Sequence, residues 1–238
     1  MIFFTCLIFL SFFILNYNTK ALQFYGGSGI TSPVNPNVPN PNFPVFPQNS
    51  NGTRGVLGTG SSLSIDFVSS FNLRINSIFN ENHTYFAKAQ SYFNNEMKSP
   101  NYIQVTDNRG TLTGWRLSVI EKREIEFMDK AVSKYSVPEG ASLSLAHPIM
   151  ASNSRAISPS VSSVTNLIPD TEMVIATAKS GQGAGTWVIR WGEQEDLQTQ
   201  DTDVITPAVK LFVPGTTGKK GEIYGAKLTW SLAILPEP

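Results

Sequence analysis

The tightest constraint on this chain is an alternation near its end. In "YGAKLTWSLAILP", residues 224 to 236, Tyr224, Ala226, Leu228, Trp230, Leu232 and Ile234 share one phase. Gly225, Lys227, Thr229, Ser231 and Ala233 occupy the other. Successive strand side chains point to opposite faces, so this period reads as a half-buried strand. Shorter runs repeat it: Leu63, Ile65 and Phe67; Ile103 and Val105; Trp115, Leu117 and Val119; Leu143 and Leu145; Val174, Ala176 and Ala178; Trp187, Ile189 and Trp191; Val209, Leu211 and Val213. Polar turns such as "TDNRGT" and "SGQGAG" lie between them. Many short strands with Gly, Pro and Asn punctuation predict an all-β chain, folded as an antiparallel, Ig-like β-sandwich. One stretch departs from the pattern: "VIEKREIEFMDKAVSKY" reads either as a short helix or as a charged hairpin.

Two segments precede this domain. Residues 1–21 hold an apolar run from Ile2 to Leu15, then polar residues ending at Lys20-Ala21. The run is shorter than the roughly 20 residues that span a bilayer, and a small residue comes after it, as in a secretory signal peptide. No Lys or Arg precedes it, and a retained anchor is the competing reading. The single Cys, Cys6, lies inside the run, so cleavage after Ala21 leaves no thiol for a disulfide. After cleavage no membrane association is expected. Residues 22–60 form a Pro/Asn/Gly-rich linker with Pro at 33, 36, 39, 41, 44 and 47. Pro fixes φ and removes a donor, so an extended, semi-rigid spacer is expected there, with Gly-rich ends as hinges. The β-domain then runs over 61–238.

Several function classes find no support in the composition. Basic and acidic residues number 18 each; losing Lys20 with the leader leaves 17 against 18. Nucleic-acid binding would need a basic patch. Two His, His83 and His147, and no mature Cys offer neither a zinc cluster nor a nucleophile–base pair, and "SGQGAG" holds no Ser elbow. The acids of "WGEQEDLQTQDTDV" lie in a Gln-rich stretch that reads as a solvated loop, and their spacing does not fit an EF-hand. Asp107 and Arg109 read as a local ion pair beside a turn. The expectation is therefore no enzyme, with no catalytic, cofactor-binding or metal-binding residues.

The chemistry that remains belongs to Trp. Only four are present, and two stand in one frame: Trp115-Arg116-Leu117 and Trp230-Ser231-Leu232. Within each frame Trp and Leu share a strand face while the spacer, Arg116 or Ser231, points away. Inward, the frames are core. Outward, flat rings carrying an N–H suit sugar faces and hydroxyls. Trp187 and Trp191 offer additional aromatic contacts.

With these two frames, and with "GSSLSIDFVSSFN", "PNYIQVTDNRGTLTGWRLSV", "GAGTWVIRWGE" and "VKLFVPGTTGKKGEIYGAKLTWSLAILP" around them, the chain resembles the WxL-domain surface proteins of Gram-positive bacteria. The resemblance runs from about residue 61 to the end. It departs in carrying Asn where acids are usual, and "FNLRI" near the domain start. It implies a secreted protein at the cell wall, attached non-covalently by binding peptidoglycan, with Trp115, Leu117, Trp230 and Leu232 as the binding motifs. No sorting pentapeptide with apolar tail and basic stop comes after the domain, in keeping with non-covalent attachment. It further implies other WxL-family and WxL-interacting surface proteins as partners. The alternative is a structural or adhesin subunit of a surface complex, in which the motifs serve core packing and assembly.

Overall fold

The computed structural model describes residues 7–11, 32–40, 42–48, 61–77, 79–93, 95–122, 137–218 and 224–235. Among the described residues sixteen strands appear in chain order. They are β1 Leu7–Ser11, β2 Leu63–Val68, β3 Asn72–Ser77, β4 His83–Lys88, β5 Gln90–Tyr92, β6 Asn95–Ser99, β7 Tyr102–Asp107 and β8 Trp115–Lys122. Next are β9 Ser142–Leu145, β10 Pro148–Ala151, β11 Ser160–Val161, β12 Met173–Ala178, β13 Gly185–Trp191, β14 Gln198–Gln200, β15 Asp203–Val213 and β16 Lys227–Ile234. The chain is all-β, as its alternation predicts. The segment read as helix or hairpin lies outside the described residues beyond Lys122, and the leader does so except for β1, which pairs antiparallel with β3.

Three four-stranded sheets carry the domain. Their strand orders are β10-β13-β7-β2, β11-β12-β8-β16 and β14-β15-β4, with β9 pairing to β15. Every ladder between these strands is antiparallel. Their inward faces meet in one hydrophobic cluster that includes Ile65, Ile103, Val105, Trp115, Leu117, Leu143, Trp191, Leu211 and Trp230. This arrangement is consistent with a β-sandwich.

Two bulges break the predicted phase, and each has a visible consequence. In β2 the register against β7 shifts between Ile65 and Phe67. Ile65 opposes Val105 and faces the main core, whereas Phe67 opposes Gln104 and faces the other way. A bulge inserts one residue and so reverses the facing of every later residue in the strand. In β12 the shift between Val174 and Ala176 turns Val174 outward, opposite Ser118, while Ala176 and Ala178 stay inside.

The reversal of Phe67 matters because the outer face of this sheet is covered. Phe67, Tyr102 and Val188 form a second apolar cluster with Val34 from the Pro-rich segment and Tyr92 from β5. The described residues of the segment, 32–40 and 42–48, therefore fold back and lie against the domain, where an extended, semi-rigid spacer was expected. The physical reason is that this segment finds partners for its backbone. Gln104 accepts from the Val34 N–H at 2.8 Å and donates to the Ser32 carbonyl at 3.1 Å. Arg190 donates to the Pro36 carbonyl at 2.9 Å. The Gln48 N–H reaches the Ser91 carbonyl, and the Phe93 N–H reaches the Phe46 carbonyl, each at 2.8 Å.

Beneath the strap sits a buried acid. Asp66, at the β2 bulge, accepts from Ser64 Oγ at 2.6 Å, Thr106 Oγ1 at 2.6 Å and Gln104 Nε2 at 2.9 Å. Burial lifts its carboxyl above the ordinary range, and the three bonds pull in the opposite direction. A raised folded value gives a stability contribution that is complete below the unfolded value of about 4 and fades as pH rises through the folded one. Asp66→Asn can still accept from Gln104 and Thr106 and can donate to Ser64. It should be more stable than the parent at neutral pH and converge with it in acid. Urea midpoints over a pH series check this; two parallel curves would contradict it.

Candidate functional site

The two Trp-x-Leu frames lie on neighbouring strands. β8 and β16 pair antiparallel with Leu117 opposite Leu232, Trp115 opposite Ile234, and Trp230 opposite Val119. Cross-strand partners share a face, so these six side chains line one surface. "WRLSV" and "WSLAI" are thus self-complementary about a central Leu–Leu rung. Each indole meets a β-branched aliphatic side chain on the other strand. Trp115 and Trp230 sit four residues apart along the ladder, about 13 Å at strand rise.

That surface faces inward except at its end, where Ile234 is exposed. Trp115 and Leu117 are fully buried, Trp230 is 4% exposed, and Leu232 is half-buried against the core. Trp187 and Trp191 are buried in the same cluster. Trp191 packs on Trp230 with ring centroids 5.9 Å apart, and Phe71 meets Trp191 edge-on at 5.5 Å. The spacer Arg116 is exposed on the outer face, where Ser118 Oγ donates to Glu172 at 2.5 Å. No ring of the four presents its face to solvent, and the polar edges of Trp115 and Trp187 face the domain's own backbone.

What two of them hold is a loop. Trp115 Nε1 donates to the Gly183 carbonyl at 3.1 Å, and Trp187 Nε1 donates to the Ala184 carbonyl at 3.0 Å. Both carbonyls belong to "SGQGAG". Gly183 has φ +76°, and a Cβ there would stand 2.6 Å from Trp115 Nε1 and 2.5 Å from the Ala178 Cβ. On the other side, Gly114 has φ +84°, and a Cβ would overlap the Ala178 carbonyl oxygen. Only glycine combines that backbone with that closeness. Gly183 thus lies against the indole of the first frame, and Gly114 lets the other loop pack on the Ala178–Lys179 backbone.

The second loop, residues 108–114, is fixed by its own ion pair. Arg109 grips Asp107 through two bonds, at 2.9 and 2.7 Å, and also donates to the Gly114 carbonyl at 2.9 Å. Both side chains are nearly buried. The sequence reading of a local pair beside a turn describes this contact. The other flagged acids also serve local structure. Glu193 pairs with Arg190 and caps the short 3₁₀ turn Gln194–Asp196, Asp201 pairs with Arg74, and Asp203 pairs with Lys88.

Above this frame the loops form an exposed rim. Leu112 stands at φ +53° and is 45% exposed, with its carbonyl held by the Gly181 N–H at 2.8 Å. Left-handed backbone costs a non-glycine residue roughly 1–2 kcal/mol. Ile157, 64% exposed, joins through its carbonyl to the Gly183 N–H at 3.0 Å. Lys179, Ser180 and Thr111 complete the rim. Leu112 and Ile157 carry no periodic signal and escaped the sequence reading; their only cue is an apolar residue placed between two turn glycines or in a Ser/Pro stretch.

An apolar frame buried in an antiparallel sheet, with exposed loops at one end of it, defines an all-β domain of the sandwich class. A family model described as WxL domain, surface cell wall-binding, matches residues 16–236, and the chain belongs to that family. The match takes in the Pro-rich strap as well as the sandwich. No curated protein and no solved structure matches the chain. Its place is the cell wall surface. Among the described residues, no helix is long and apolar enough to cross a membrane.

The two motif Trp should respond differently to replacement. Trp115→Phe strands the buried Gly183 carbonyl, a loss of about 1–3 kcal/mol before any lost packing. Trp230 Nε1 and Trp191 Nε1 have no hydrogen-bond partner among the described residues. Trp230→Phe removes an unpaired donor and should cost less. Urea unfolding of the two variants checks the order; equal losses would contradict it.

Proposed function

We propose that this protein is secreted and holds itself to the Gram-positive wall non-covalently by binding peptidoglycan through its WxL domain, as a binding module and not as an enzyme. Trp115, Leu117, Trp230 and Leu232 act from inside: their ladder places Trp115, and Trp115 holds the glycine loop whose rim meets the polymer. The observation that carries this reading is the seating of the Trp115 indole on Gly183, whose carbonyl it holds. It ties the first motif directly to the exposed Leu112, Ile157 and Lys179 rim. Amides, hydroxyls and carboxylates of a wall polymer match the backbone groups, Thr111, Ser180 and Lys179 there, and its apolar faces match Leu112 and Ile157.

Leu112→Gly separates binding from folding. It relieves the left-handed Leu and should keep or raise the unfolding midpoint. It should also weaken retention on purified peptidoglycan by about tenfold, the scale of one lost buried Leu contact. Unchanged retention would remove the rim from the reading.

The full burial of Trp115 and Leu117 favours a second reading, in which the chain is a subunit assembled with other WxL-family and WxL-interacting proteins. On that reading, folded variants of the rim keep association with those partners, and purified peptidoglycan alone retains nothing.

A further inference from the structure

We propose that the groove holding residues 32–48 also takes the same segment from a second copy of this chain, so that neighbouring molecules link by exchanging straps. The groove is built from the outer face of the β10-β13-β7-β2 sheet and the β5–β6 hairpin. Its polar groups read the backbone of the strap. Gln104 engages Val34 and Ser32, Arg190 engages Pro36, and Gln90 Nε2 donates to the Gln48 carbonyl at 2.6 Å. Its apolar floor, Phe67, Tyr102, Tyr92 and Val188, seats Val34 at its centre with Val45 packed against the cluster. The aromatic-lined trough thus holds the folded-back strap through its backbone carbonyls and N–H groups.

The strap is also self-contained. Val34 bridges to Pro44, the Val45 N–H reaches the Pro33 carbonyl at 2.8 Å, and Asn35 and Asn40 close their own turns onto Asn37 and Asn42. It can therefore leave and enter as a unit. Twelve residues, 49–60, separate it from Ser61, and four of them are Gly. Fully extended, that length spans about 40 Å.

An empty groove is costly, because Gln104 and Arg190 would lose their strap partners. Exchange avoids this: every contact made within one chain is remade between two. The balance is then set by concentration, with a short tether equivalent to ~1 mM of free segment. Chains gathered on a surface can match that.

Asn37 and Gln194 test the exchange, since their side chains meet across the groove edge at 2.6 Å and Gln194 is exposed. In full-length chains carrying Cys6→Ser, Asn37→Cys and Gln194→Cys are made singly and together, then treated with a short bismaleimide. The double variant should give an intramolecular adduct. An equal mixture of the two single variants should give a covalent heterodimer whose yield climbs as the concentration approaches ~1 mM. An intramolecular adduct in the double variant, with no heterodimer in the mixture at any concentration, would overturn the proposal. So would failure of both, which would remove the docked strap itself. Retention of either single variant on peptidoglycan reports separately on wall binding.

Discussion

The Leu117–Leu232 rung is the contact on which the rest of the domain depends. Around it, two five-residue stretches of near-identical pattern pair antiparallel and place an indole at each end of one inward face. The rung fixes the register of β8 against β16, the most distant pairing in sequence between named strands of the sheet that holds the motifs. A slip of β16 by one residue would send Trp230 and Leu232 outward while Trp115 and Leu117 stayed inside. The three-residue frame is thus a registration device. Its meaning lies in the pair, which is why a single copy carries little information.

From that ladder the structure grows in two directions. At the Trp230 end, the indole packs on Trp191 and, through it, Phe71, joining the motif sheet to its neighbour. At the Trp115 end, the indole N–H reaches into a glycine loop and sets the geometry of the rim. One end ties core to core; the other ties core to surface. Burial of the motif and a binding role are then compatible, since the buried ring determines where Leu112 and Ile157 stand.

Much of this was legible in the sequence. Period-two alternation locates β2, β7, β8, β9, β12, β13, β15 and β16, because each packs one apolar face and the signal is strong. The inward phase of Trp187, Ile189 and Trp191 also comes from it. Phe67 and Val174 did not, because a bulge shifts phase by one residue without leaving a mark in hydropathy. β4, with "HTYFAK", and the short β5 and β6 are too mixed in pattern to stand out. The docked strap was missed for another reason. Pro and Asn read locally as an extended spacer, and nothing local shows that Gln104 and Arg190, 70 and 154 residues away, supply bonds to its backbone. A Gln and an Arg in otherwise apolar strands, on the face opposite the core, were the available cue.

The most direct test of the central claim is a nuclear Overhauser spectrum of the full-length protein, with Leu, Val and Ile methyls and Trp rings selectively labelled. The account predicts contacts from the Leu117 methyls to those of Leu232, from the Trp230 ring to Val119, and from the Trp115 ring to Ile234. Direct contacts between the Trp115 and Trp230 rings, or Leu117 methyls paired with any other β16 residue in place of Leu232, would contradict it.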